Sequence, residues 1–129
     1  MKSILMVGLG GFFGANLRYL VGVWAIRRWG ETFPGGTLIV NVVGSFLIGF
    51  VVMFLADKFE QDPHLKQLLI TGFLGAFTTF STYMLEIVQL ITGHTTHHGW
   101  LYLAVSIVLG LAAVVLGTYV GDQAGQPAT

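Results

Sequence analysis

Between residues 71 and 86 the chain reads TGFLGAFTTFSTYMLE, and this stretch holds the side chains with most chemistry to offer. Thr78, Thr79, Ser81 and Thr82 put four hydroxyls into five positions. Phe80 and Tyr83 stand three apart, a spacing that sets both rings on one face of a helix. Gly72 and Gly75 precede them. Glycines and clustered hydroxyls are what a helix break in a bilayer requires, because backbone that leaves the helix there must be buried in protein or reached by water. A break between Gly75 and Phe80 would strip carbonyl oxygens of their N–H partners, and such oxygens are ligands for a hard cation. Two from one chain and two from an antiparallel partner would make a four-oxygen cage on a symmetry axis. An aromatic ring has a negative face and a positive edge, so the edges of Phe80 and Tyr83 suit an anion without offering it a formal charge. The implied chemistry is ion ligation with no bond made or broken. These residues do not name the ion.

Other polar residues interrupt the apolar runs. Thr37, Asn41 and Ser45 recur every four residues and share a helix face. Asn41 brings two N–H donors and one acceptor, fit for a desolvated anion or for a hydrogen bond between helices. Arg18 either faces a vestibule that attracts anions or snorkels to the interface. Glu86 and Gln89 follow the hydroxyl cluster. A carboxylate at that depth is a functional candidate, or else sits solvated near the span end. Ser106 is the main polar residue of the last apolar run, where serine often bonds back to its own helix. His94, His97 and His98 read as a wet loop, since no carboxylate completes a metal site there.

The elements that position these groups follow from composition. Of 129 residues, 54% are hydrophobic and 9% are charged, with a mean hydropathy of +0.78. A soluble domain carries about 25% charge, so the chain belongs in a membrane. Six basic and six acidic residues cancel, which leaves no field to draw nucleic acid. The absence of cysteine excludes disulfides, thiol catalysis and thiolate metal sites. Four runs of bilayer length, residues 4–25, 37–56, 68–91 and 100–120, predict a single all-α domain over residues 1–129. The first is read as a span, with a signal peptide the lesser alternative. The connection over 57–66 is charged, and the tail from 121 is polar. Lys2, Lys58 and Lys66 fall on one side of the membrane, against Arg27 and Arg28 on the other. So small a bias chooses no orientation and permits insertion both ways. GxxxG pairs at Gly10/Gly14 and Gly117/Gly121 favour oligomerisation, though weakly.

Three motifs make the reading specific. GGFFGANLRY (10–19), GTLIVNVVGSFLIG (36–49) and TGFLGAFTTFSTY (71–83) resemble, in order and spacing, the signatures of the CrcB/Fluc fluoride channels. The resemblance spans all four apolar runs and is least distinctive in the last. It implies a multi-pass protein of the bacterial inner membrane, with the third helix broken near its middle. It also implies an antiparallel, dual-topology homodimer that exports fluoride passively from the cytoplasm through two pores. A structural sodium ion would sit at the dimer centre on the backbone carbonyls of Gly75 and Thr78. The pore residues would be Asn41, Phe80, position 83 and Ser106, with Arg18 the arginine of the conserved motif. From the residues themselves, Thr37, Thr79, Ser81 and Thr82 join as polar candidates. Position 83 departs from the family's usual Phe. The Tyr83 hydroxyl would ligate the anion, narrow the pore or hold fluoride too well, so Tyr83→Phe would raise flux.

No covalent chemistry is implied, and the chain reads as a channel, not an enzyme. Two other readings compete. A small proton-coupled multidrug exporter of dual topology resembles a mechanism built on a first-span glutamate. This chain has Asn16 and Arg18 there, which leaves Glu86 as the only substitute. A non-transporting membrane scaffold would tolerate Phe80→Ile with no change in flux.

Overall fold

Long apolar runs wind into helices in lipid because the bilayer core offers the backbone no other partner. A computed structural model describes residues 1–93 and 96–125, and every regular element among them is helical. Helix α1 (Lys2–Trp29) ends on Gly30, whose φ of 80° lies in the left-handed region, and whose N–H donates to the Ile26 carbonyl at 2.8 Å. Arg27 and Arg28 occupy its last turn, where the helix dipole favours cations. Pro34 leads into α2 (Gly35–Phe54).

The segment expected as a loop over 57–66 is instead helical, as α3 (Ala56–Gln61) and α4 (Pro63–Lys66). Asp62 starts α4 by accepting from the backbone N–H of His64 at 2.9 Å and of Leu65 at 3.3 Å, with Pro63 at the first position. The third span therefore begins earlier than the apolar run does. It passes through a π-helical stretch (Gln67–Leu74), a short α5 (Gly75–Phe77) and α6 (Phe80–Thr92). Helix α7 (Thr96–Gly125) carries His97 and His98 in its opening turns, not in a loop, and extends past the point where the polar tail was expected. His94 lies outside the described residues. Among the described residues, no three His, Cys, Asp or Glu side chains could hold a metal together. Among the described residues, four helical segments are long and apolar enough to cross a membrane: Lys2–Trp29, Gly35–Phe54, Pro63–Thr92 and His97–Gly125.

Packing is pairwise and close. Helix α1 lies on the π-helical stretch, and α2 lies along α7. A side chain at Gly10 would strike the Leu68 carbonyl, and one at Gly14 the Phe73 carbonyl. Gly72 faces them, with the Val7 carbonyl 2.7 Å from where its Cβ would stand. On the other pair, Gly117 meets the Phe46 carbonyl and Gly49 the Val114 carbonyl. Both GxxxG pairs thus join helices of one chain, backbone to backbone, as lipid-embedded helices do where apolar burial gives no drive.

Candidate functional site

The third span breaks at Thr78 and Thr79. Their φ/ψ values are −88°/160° and −149°/120°, both extended. The break lies between Gly75 and Phe80, as the sequence predicts, and side chains partner the Thr79 N–H and carbonyl and the Thr82 N–H. Asn41 on α2 pairs with Thr79 in both directions: the Thr79 N–H donates to Asn41 Oδ1 at 2.8 Å, and Asn41 Nδ2 donates to the Thr79 carbonyl at 2.9 Å. Thr79 Oγ1 accepts from the Thr82 N–H at 3.3 Å and so caps α6. Thr78 donates twice to the Leu74 carbonyl, through its N–H at 3.1 Å and its Oγ1 at 3.0 Å. Gly44, one turn beyond Asn41, makes room for the Thr78 methyl, which a Cβ there would strike. Thr37 and Asn41 of the stripe therefore face the third span, while Ser45 Oγ lies beside Gly110 of α7.

Three cavities follow one another along this stripe. The first, about 340 Å³, is lined by Glu31, Gln89, Glu86 and Thr37 among others. The second, about 230 Å³, shares Gly22, Gly36 and Thr37 with the first and adds Arg18, Thr82 and Thr79. The third, about 320 Å³, shares Thr79 with the second and holds Asn41, Ser45, Gly75, Thr78 and Phe80. The Asn41–Thr79 pair thus stands where the second and third meet. Arg18 makes no hydrogen bond or ion pair within the described residues, so its guanidinium is a free cation beside the second cavity.

Glu86 is held by two hydroxyls. Thr37 Oγ1 donates to Oε1 at 2.6 Å, and the Tyr102 hydroxyl donates to Oε2 at 2.9 Å. Tyr102 stands near the start of the last apolar run. Its position one helical turn before Ser106 was the signal that the two share a face of α7. Ser106 Oγ is buried and bonds neither back to its helix nor elsewhere among the described residues. It lines none of the three cavities. Ser81 is exposed and lines none of them either.

The two rings of the hydroxyl cluster part company. Phe80 is 74% exposed while Tyr83 is only 7% exposed, with centroids 6.4 Å apart. Tyr83 packs edge-on against Tyr102 at 5.3 Å, and its hydroxyl donates to the Leu103 carbonyl at 2.9 Å. That hydroxyl has one proton, and the α6–α7 contact takes it, so it cannot also be donated to an anion. The expected rise in flux in Tyr83→Phe then has no support from ligation of the anion by the hydroxyl. Tyr83→Phe should instead lower stability by about 1 kcal/mol, the net value of one hydrogen bond. Fluoride flux should stay within about twofold, because the ring remains. Thermal melting and liposome efflux of the same preparation check both, and a large rise in flux would restore the pore role of the hydroxyl.

The profile of the family described as "CrcB-like protein, Camphor Resistance (CrcB)" matches residues 5–118. A protein of Rhizobium meliloti named "Fluoride-specific ion channel FluC" is 47% identical over 117 residues, which cover 91% of this chain and 94% of the relative. Proteins of the same name from Roseiflexus sp. and Agrobacterium fabrum are 44% and 43% identical, over 89% and 94% of this chain and 93% and 97% of theirs.

Proposed function

The chain belongs to the CrcB-like family, and from that premise we propose that it is a passive fluoride channel of a bacterial membrane. The observation that carries this is similarity over nearly the full length of both chains to proteins named as fluoride-specific channels. Fluoride crosses and is released unchanged, so the protein is a channel and not an enzyme.

In this reading fluoride is drawn to the unpaired Arg18 guanidinium and passes Thr37 and Thr82 in the second cavity. It then meets the N–H of Asn41 that Thr79 leaves unused, and the edge of Phe80 in the third. Fluoride gives up water only to groups that replace it closely, and none of these except Arg18 carries a full charge that would hold the ion. Tyr83 contributes a ring edge without its hydroxyl. Ser106 contributes a buried hydroxyl that lacks a partner in one chain. The working unit is an antiparallel dimer inserted in both orientations, which agrees with the near-balanced basic residues. A sodium ion at its centre would lie on the carbonyl oxygens of Gly75 and Thr78 and supply fixed positive charge that ties the two copies together. The chain suits it, since Gly75 is exposed and adjoins the break.

The test is fluoride efflux from liposomes holding the purified protein, followed with a fluoride electrode after adding a potassium ionophore, beside matched chloride-loaded vesicles. Rapid loss of fluoride without loss of chloride is expected. Equal loss of both ions would refute the selectivity, and no fluoride loss would refute the channel.

A further inference from the structure

In a continuous helix the Gly75 carbonyl accepts from the N–H of residue 79, and the Thr78 carbonyl from that of residue 82. Here both donors are intercepted by side chains. The Thr79 N–H goes to Asn41 Oδ1 at 2.8 Å, and the Thr82 N–H goes to Thr79 Oγ1 at 3.3 Å. Two carbonyls, three residues apart, lose their helical partners by two separate devices. One acts from a neighbouring helix and the other from the chain itself. Asn41 does more than accept: its Nδ2 donates to the Thr79 carbonyl at 2.9 Å, so the two peptide units that flank the Thr79 Cα are both held by one side chain. Gly44 seats the Thr78 side chain against α2 and so fixes the next peptide along.

We propose that Asn41 and Thr79 are positioning residues for a hard monovalent cation: by taking the N–H groups of Thr79 and Thr82, their side chains leave the Gly75 and Thr78 carbonyls without helical partners and free to bind it. This rests on the reading of a central cation and assigns what builds its cradle. Bare carbonyl oxygens in lipid are costly unless something polar meets them. A cation meets both at once. The side chains that intercept the N–H groups thereby become part of cation binding without touching the ion. Asn41 then serves twice, with its oxygen turned to the break and its second N–H to the third cavity.

The experiment is thermal melting of the purified protein in chloride salts of sodium against N-methylglucamine at equal ionic strength, across a sodium titration. The unmodified chain should melt at higher temperature as sodium rises. Asn41→Ala and Thr79→Ala should each move the sodium midpoint upward by at least about tenfold, the loss expected when a charged group loses a well-placed ligand. Thr79→Ser, which keeps the capping oxygen, should restore the midpoint. Asn41→Asp, which keeps an acceptor for the Thr79 N–H, should lie between. If Asn41→Ala does not fold, the Thr79→Ala and Thr79→Ser pair decides alone. A sodium midpoint unmoved in Thr79→Ala overturns the inference and leaves the cation standing. No sodium effect on the unmodified chain overturns both. Neither result bears on fluoride efflux, which tests the channel separately.

Discussion

Gly14→Val is expected to abolish the channel: vesicles carrying it should lose fluoride no faster than protein-free vesicles, and most of the protein should aggregate on size exclusion. The Cβ of any residue at 14 would collide with the Phe73 carbonyl and stand 2.9 Å from its carbon. The obstacle is backbone, so no rotamer change relieves it. Overpacking costs about 1–3 kcal/mol where side chains can give way, and more where they cannot. Helix α1 would have to withdraw from the π-helical stretch. Arg18, one turn further along α1, would move with it and open the second cavity. Gly8→Val makes the matched control. A Cβ at Gly8 meets nothing within 4 Å in the chain, so the intrachain fold should hold within about 0.5 kcal/mol. Similar loss in both variants would mean that crowding on α1 is not what matters.

Phe80→Ile should lower fluoride efflux by about ten- to hundredfold with the fold intact. Phe80 opens α6 at the break and lines the third cavity with Asn41. At 74% exposed it contributes little to the core of one chain, so its replacement by another apolar residue has no packing reason to disturb the fold. What Ile lacks is the polarised ring edge. A group that interacts with a charge contributes about 1.5–3 kcal/mol, which converts to that range in rate if it is needed at the barrier. Efflux assays at matched protein density, with melting as the check on folding, measure this. Unchanged flux would favour the scaffold reading.

Much of this arrangement can be read from residue order, and the reasons are local. The apolar runs give the spans because lipid forces backbone to close on itself. The break follows from Gly75 and the hydroxyls, since Thr79 caps a new helix as readily as it leaves the old one. The stripe of Thr37, Asn41 and Ser45 needs only a helical period. Asp62–Pro63, a capping residue followed by a residue suited to the first helical position, signalled that α4 begins there. What resists reading comes from tertiary contact. The i→i+5 winding of Gln67–Leu74 has no marker in composition and goes with its approach to Gly10 and Gly14. The direction of the Tyr83 hydroxyl depends on a carbonyl 20 residues away, and Glu86 finds Tyr102 across 16. The rings at 80 and 83 share a spacing but not a fate, because α7 covers one and leaves the other.

The seam between α2 and α7 also sets a timetable for synthesis. Gly49 and Gly117 press into opposite backbones, yet everything from α3 to α6 is translated between them. At about 5–20 residues per second, α2 waits in the membrane for several seconds before its partner leaves the ribosome. Over that interval Gly36 can already meet Gly22 of α1, but the face around Gly49 lacks its partner in the chain. Premature release of the nascent chain within α6 would strand α2 permanently and yield a fragment that quality control should remove quickly.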